Sequence, residues 1–140
     1  MTEEQLLEKL NTLEDYGFTS TNKDPYCRWD AESDKYLAEL KCRRAHYTTQ
    51  LIEHPKLEYC TEEAEKSGKE FLYCVNTPEG TYIFNVSKLL KEGYDFQWET
   101  RKMPNKTMFG QWEKVDKKVG YIDVNTAQLF SSSVPEAQPS

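Results

Sequence analysis

The sequence lacks long apolar runs, so we expect neither a membrane-spanning nor a secreted protein. No stretch approaches the roughly 20 consecutive apolar residues that a transmembrane helix needs. The first residues, Met-Thr-Glu-Glu-Gln, contain neither the basic nor the apolar region of a secretory signal peptide. We therefore expect the protein to remain in the cytoplasm.

Histidine is scarce, and the cysteines are widely spaced. The chain has two histidines and four cysteines, and no two cysteines form a Cys-x-x-Cys pair. Structural zinc sites draw on closely spaced cysteine and histidine ligands, so such a site is not expected. Three of the cysteines fall in or beside apolar segments, which favours reduced thiols in a core over a disulfide framework.

Positive charge is in the minority. The chain has 18 Lys and Arg residues against 24 Asp and Glu residues, a net charge of −6. This balance argues against strong non-specific binding to nucleic acid, because such binding depends on clustered cations. The charge is nevertheless segregated, with acids concentrated in residues 3–15 and 53–70. A basic group occupies residues 28–44 and consists of Arg28, Lys35, Lys41, Arg43 and Arg44.

What the chain does have is enough apolar and aromatic content for a folded core. Its 140 residues include nine Tyr, six Phe and three Trp, which suits one globular domain. We expect that domain to span residues 1–130 and to be of the α/β (α+β) class, with a central mixed sheet flanked by helices. Residues 131–140 are rich in Ser and Pro and have the composition of a disordered tail.

Periodicity and turn residues divide the domain into elements. Helices are predicted over 2–16, from Pro55 to Gly68 and over 87–92. Strands are predicted over 26–30, 36–42, 71–75, 81–84, 96–101 and 119–124. Residues 45–54 are interpreted as a connecting segment. The first two strands form a central hairpin.

The second strand of that hairpin carries the residues of greatest chemical interest. Glu39 and Lys41 are two positions apart, so the pleat of a strand places them on one face. Asp30 ends the preceding strand and faces them. Paired carboxylates beside an ammonium form a poor core but a good site for a divalent metal ion.

Hydrolysis of a phosphodiester needs an activated water and neutralisation of the charge on the phosphate. Mg²⁺ serves both needs and takes few protein ligands, because it retains several waters. Asp30 and Glu39 would bind it, the carbonyl of Leu40 is a third candidate ligand, and Mn²⁺ is the expected substitute. Lys41 would stabilise charge in the transition state. Arg43, Arg44 and Lys35 are the candidate nucleic-acid-binding residues.

These residues resemble the PD-(D/E)XK nuclease superfamily. Asp30, eight intervening residues and then Glu39-Leu-Lys41 in an apolar strand, followed by a helix and a second hairpin, is similar to small phage-type members. The resemblance implies a restriction-endonuclease-like fold and Mg²⁺-dependent cleavage of DNA. Asp30 and Glu39 then correspond to the metal ligands and Lys41 to the catalytic lysine. A bacterial or phage-infected host cytoplasm and a homodimeric state also agree with it.

The resemblance does not decide which residue takes every role in the superfamily's site. Trp29 stands before Asp30 where the superfamily has Pro, and Asp24 and Asp34 compete for the role of first ligand. Many members add a helix acid, for which the candidate is Glu14. Some add a glutamine after the motif, for which the candidate is Gln50.

Two other interpretations compete with a nuclease. A cross-strand ion pair on an exposed sheet face would also explain Glu39 and Lys41. A nuclease-like scaffold without catalysis, acting as a protein-binding or inhibitor protein, would agree with the acidic net charge, because an acidic surface approaches a basic protein partner more readily than DNA. The second acid-x-Lys triplet, Asp116-Lys117-Lys118, is interpreted as solvated surface.

Overall fold

The computed structural model describes residues 1–19, 29–104 and 114–133. Within them lie three helices: α1 (Glu3–Leu13), α2 (His54–Lys66) and α3 (Val86–Lys91). The strands in these residues are β1 (Ala31–Glu32), β2 (Tyr36–Cys42), β3 (Thr49–Glu53), β4 (Glu70–Thr77), β5 (Gly80–Asn85), β6 (Glu99–Pro104), β7 (Lys114–Asp123) and β8 (Leu129–Ser132). No helix among them is both long and apolar enough to cross a membrane.

A five-stranded mixed sheet forms the centre of the molecule. Its order is β1-β2-β4-β5-β8, with β2 and β4 parallel and the other pairs antiparallel. Residues 37–40 of β2 are all buried, as expected for a strand covered on both faces. The predicted mixed sheet, and β2 with the predicted bounds 36–42, are therefore confirmed.

Helices cover both faces of the central sheet. On one face α1 buries Leu6, Leu7 and Leu10 in a cluster that includes Leu40 and Leu72 of the sheet. On the other face α2 buries residues spaced at the helical period against the sheet, namely Leu57, Cys60 and Ala64. Because β2 lies between these layers, the polar residue Glu39 in its centre is buried.

The segment between β2 and α2 is not the simple connection that the sequence predicts. Thr49–Glu53 forms β3, which pairs with β7 to make a second sheet of order β3-β7-β6. Gln50 and Ile52 alternate inward along β3 and are buried. The alternation covers only five residues and ends at Pro55, so the sequence signal for this strand is short.

Other element boundaries also differ from prediction. Helix α1 begins at the predicted capping box, in which Thr2 and Gln5 exchange hydrogen bonds, but it ends at Leu13. The first hairpin strand is predicted over 26–30 and observed as Ala31–Glu32, while residues 20–28 lie outside the described part of the chain. Strand β6 starts three residues later than predicted, because Phe96 is buried in the core and Gln97 has a φ of +54°.

The C-terminal boundary also needs correction. Ser131 and Ser132, predicted to begin a disordered tail, pair in β8 with Thr81 and Gly80 of β5. Ordered structure therefore extends to β8 at the edge of the central sheet. The remaining tail residues from 134 onward lie outside the described residues.

The close contact between β5 and β8 yields a prediction about stability. Gly80 has a φ of +148°, and a Cβ there would lie 2.3 Å from the Ser131 carbonyl oxygen. We expect Gly80→Ala to lower the free energy of unfolding by about 2–4 kcal/mol in urea denaturation. Gly68→Ala is the control, because Gly68 has a φ of +68° but open space around it, and it should cost about 1 kcal/mol. Equal losses would contradict the β5–β8 packing.

Candidate metal centre

Two carboxylates meet at one edge of the central sheet. The pairing of Ala31 with Ala38 places Asp30 opposite Glu39 on the neighbouring strand. The Asp30 N–H donates to the Ala38 carbonyl at 2.9 Å, and Asp30 Oδ2 accepts from the Leu40 N–H at 2.8 Å. Main chain and side chain of Asp30 are therefore both tied to β2, which fixes its carboxylate beside Glu39.

Glu39 is a buried carboxyl group on the central strand β2. Its side chain is 5% exposed, and no donor in the described part of the chain hydrogen-bonds its Oε2. Burial, and secondly the Asp30 carboxylate, raise the pKa of Glu39 to about 7, while Lys56 and Lys41 act in the opposite direction. A second carboxylate so close makes the ionised form costly without a cation.

Two lysines flank Glu39 from different elements. Lys41 extends from the same face of β2, with Nζ 3.5 Å from Glu39 Oε1. Lys56 approaches from α2, with Nζ 3.5 Å from Glu39 Oε2. The side chain of Lys41 is 43% exposed, so its ammonium is placed to meet an anion that enters beside the carboxylates.

Sequence reasoning missed Lys56, although a signal was present. Lys56, Cys60 and Ala64 follow one another at intervals of four, which places them on one stripe of α2. Cys60 and Ala64 are fully buried against the sheet. A lysine that extends an apolar stripe by one turn toward a strand with a buried glutamate is a candidate partner for that glutamate.

The acid that α1 presents to this site is Glu3, whereas the candidate from the sequence is Glu14. Loss of solvent raises the pKa of Glu3, the Asp30 carboxylate raises it further, and Lys41 lowers it. Glu14 is the exposed C-cap of α1, eleven residues or roughly 16 Å along the helix axis. The helix packs across the sheet with its N-terminus toward Asp30, which a helical pattern alone does not reveal.

The predicted basic residues divide between two ends of β2. Arg43 continues the face of Lys41 and donates from Nη2 to the Tyr73 hydroxyl at 3.2 Å, and Arg44 follows it, exposed. Lys35 lies at the other end of the strand, six residues or roughly 20 Å from Lys41. Arg43 and Arg44 therefore follow the Lys41 end of β2, whereas Lys35 precedes the opposite end.

Two of the remaining candidates, Asp34 and Gln50, do not join the carboxylate pair. Asp34 is exposed in the turn before β2, beside Lys35. Asp24 lies outside the described residues. Gln50 is buried in β3 rather than on a helix, and its Nε2 donates to the Tyr47 carbonyl at 2.8 Å.

The donor set suits a hard, largely hydrated cation. Among residues 1–19, 29–104 and 114–133, no group of three or more His, Cys, Asp or Glu side chains is arranged to hold a metal ion. Two carboxylates are present, with one buried oxygen lacking a hydrogen-bond donor. The Leu40 N–H points to Asp30, and a strand residue directs its carbonyl to the same edge as its N–H. Oxygen ligands in this number fit Mg²⁺ or Mn²⁺ and do not fit structural zinc.

The architecture described above is a restriction-endonuclease-like fold. A solved structure with this fold is that of Archaeoglobus fulgidus Hjc, a Holliday junction resolvase from an archaeal hyperthermophile. It aligns with a TM-score of 0.52 and 15% sequence identity, covering 94% of this chain and 91% of that one. The fold predicted from the resemblance is therefore confirmed. No protein-family model and no curated protein sequence matches the chain.

Proposed function

We propose that the protein is a Mg²⁺-dependent nuclease that hydrolyses phosphodiester bonds of DNA. The observation that carries the proposal is the convergence of the Asp30 and Glu39 carboxylates beside the exposed ammonium of Lys41. Glu39 Oε2 accepts no hydrogen bond from the described residues, although the Lys56 ammonium lies 3.5 Å away, and this free acceptor beside Asp30 supports a cation between the two carboxylates. The fold shared with a Holliday junction resolvase also favours DNA as the substrate.

Each residue of the site has a distinct role in the proposed mechanism. Asp30, Glu39 and the Leu40 carbonyl would hold the cation, which would supply an activated water and neutralise charge on the phosphate when bound. Lys41 donates hydrogen bonds to the phosphate and offsets the negative charge that develops in the transition state. Lys56 steadies the Glu39 carboxylate from the side of α2.

The DNA strand would run along the face of β2 that carries Glu39 and Lys41. Arg43 lies one pleat repeat beyond Lys41 and would bind a flanking phosphate, with Arg44 beside it. Lys41, Arg43 and Arg44 are close in sequence while the chain as a whole is acidic, so binding should depend on these cations and weaken with salt.

Cleavage assays on linear, circular and single-stranded DNA test this function. We expect products with Mg²⁺ or Mn²⁺ and none with EDTA. Lys41→Ala should abolish cleavage, whereas Lys118→Ala should retain it, because Lys118 follows Asp116 in the same acid-x-Lys order but lies exposed on β7. Absence of cleavage on every substrate would contradict the proposal and favour a protein-binding scaffold.

The pKa of Glu39 also predicts how metal binding depends on pH. With a pKa of about 7, Glu39 is mainly protonated at pH 6 and ionised at pH 8, and metal binding requires the ionised form. The affinity for Mg²⁺ should therefore be about tenfold weaker at pH 6 than at pH 8. Thermal unfolding checks this, since Mg²⁺ should raise Tm more at pH 8. A shift that is equal at both pH values would contradict metal binding through Glu39.

A further inference from the structure

A concave site lies where Arg43, just beyond the end of β2, faces residues of the second sheet. It encloses about 310 Å³, at the lower end of the range for ligand pockets. The residues that matter for its chemistry are Arg43, Tyr47, Gln50, Arg101, Met103 and Tyr121. We call it the two-sheet pocket.

One tyrosine connects the two-sheet pocket to the candidate metal centre. Tyr73 is the β4 register partner of Glu39, so the two side chains lie side by side on the same face. The Tyr73 hydroxyl donates to the Leu51 carbonyl at 2.9 Å and accepts from Arg43 at 3.2 Å. Arg43 is two residues beyond Lys41, roughly 7 Å along the strand. This distance resembles the spacing of consecutive phosphates on one nucleic acid strand.

The pocket offers groups that recognise both parts of a nucleotide. Arg43 and Arg101 provide guanidinium groups that suit a phosphate. Tyr47 and Tyr121 provide rings on which a base can stack. Tyr47 is 66% exposed, more than any other large hydrophobic side chain among the described residues, so packing does not explain it.

Several contacts hold these groups in place before any ligand arrives. The Tyr121 hydroxyl donates to the Glu99 carboxylate and accepts from Arg101 at 3.4 Å. Glu99 therefore offsets part of the Arg101 charge while it fixes the ring of Tyr121. Buried Gln50 donates to the Tyr47 carbonyl, which anchors the backbone that carries the Tyr47 ring. Such preorganisation favours binding of a single small unit.

We propose that the two-sheet pocket binds one unpaired nucleotide adjacent to the scissile phosphate. The inference deepens the proposed nuclease function and rests on it for the direction of the strand. A pocket of this volume admits a nucleotide that has left the stack and does not admit a duplex. The preferred substrate class is therefore DNA with an unpaired or flipped nucleotide at the cleavage site.

Fluorescence of 2-aminopurine tests the pocket independently of cleavage. The probes are duplexes that carry one 2-aminopurine, either paired or as a single unpaired nucleotide. A third duplex has an abasic residue at the unpaired position, and its affinity is measured by competition with the unpaired probe. Binding is measured with Ca²⁺ and cleavage in parallel with Mg²⁺. We expect the unpaired probe to bind about tenfold more tightly than the paired or abasic duplexes, as stacking of one base allows.

Variants on the two faces of β6 and at the pocket rim provide matched comparisons. Tyr47→Ala and Arg101→Gln should remove most of the preference for the unpaired probe. Lys102→Ala should leave that preference intact, because residue 102 points to the opposite face of the same strand. Tyr121→Phe keeps the ring and should retain more of the preference than Tyr121→Ala.

The outcomes separate this inference from the nuclease itself. Equal binding of the unpaired and abasic probes, or equal effects of Tyr47→Ala and Lys102→Ala, would overturn the pocket even if DNA is cut. No binding of any probe would also overturn it. If the protein prefers the unpaired probe, loses this preference in Tyr47→Ala and yet cuts no DNA, the result would support the nucleotide pocket and reject the nuclease mechanism.

Discussion

Glu39→Gln is expected to stabilise the metal-free protein and to abolish metal-dependent DNA cleavage. Above pH 7 the wild-type protein holds Glu39 ionised beside Asp30, with its pKa raised from 4.5 to about 7. Glutamine has nearly the same shape and carries no charge. In EDTA at pH 8 we expect the free energy of unfolding to rise by about 1–3 kcal/mol, while cleavage falls at least about a thousandfold.

The pH dependence of this gain in the free energy of unfolding identifies its cause. A carboxyl group with a raised pKa in the folded state favours folding fully below its unfolded pKa and loses that contribution as pH rises through its folded pKa. The advantage of Glu39→Gln should therefore be absent near pH 4.5 and develop up to about pH 8. A structural ion pair predicts the opposite sign, because breaking a buried pair costs about 3–5 kcal/mol. Urea denaturation across this range distinguishes the two explanations.

Asp30→Asn and Asp30→Ala should separate the chemical role of Asp30 from its structural role. The asparagine side chain retains an oxygen that can accept from the Leu40 N–H, whereas alanine leaves that N–H without its acceptor. Both changes remove a proposed metal ligand, so cleavage should fall by about a thousandfold or more in each. Only Asp30→Ala should also lower the free energy of unfolding, by about 1–3 kcal/mol.

The same two variants would give a different result if Asp30 had only a structural role. If Asp30 serves only to accept the hydrogen bond from the Leu40 N–H, Asp30→Asn should cleave DNA like the wild type. Lys35→Ala is a suitable control for charge, since Lys35 lies at the far end of β2 and should change neither quantity. Cleavage rates and urea midpoints of the three variants decide between the explanations.

The central strand could be predicted because several local signals agree there. Residues 36–42 combine apolar content with a preceding turn, and the pleat alone places Glu39 and Lys41 on one face. The opposing position of Asp30 also followed from a tight hairpin. These signals are local in sequence and need no knowledge of packing.

What could not be predicted depends on contacts between distant segments. Strand β3 exists because its five residues pair with β7, about 70 residues later in the chain. The positions of Glu3 and Lys56 depend on how α1 and α2 pack on the sheet, and the two-sheet pocket depends on both sheets at once. Helical periodicity identifies a buried stripe without naming its partner.

The most direct test of the proposed metal centre is a titration with Mn²⁺ monitored by electron paramagnetic resonance. We expect one bound ion for the wild type and for Lys41→Ala, with binding lost in Asp30→Asn and in Glu39→Gln. Lys41→Ala should bind the ion and yet fail to cut DNA, because its role is toward the phosphate. Equal Mn²⁺ binding by all four proteins, or none by the wild type at millimolar concentration, would contradict a cation held between Asp30 and Glu39.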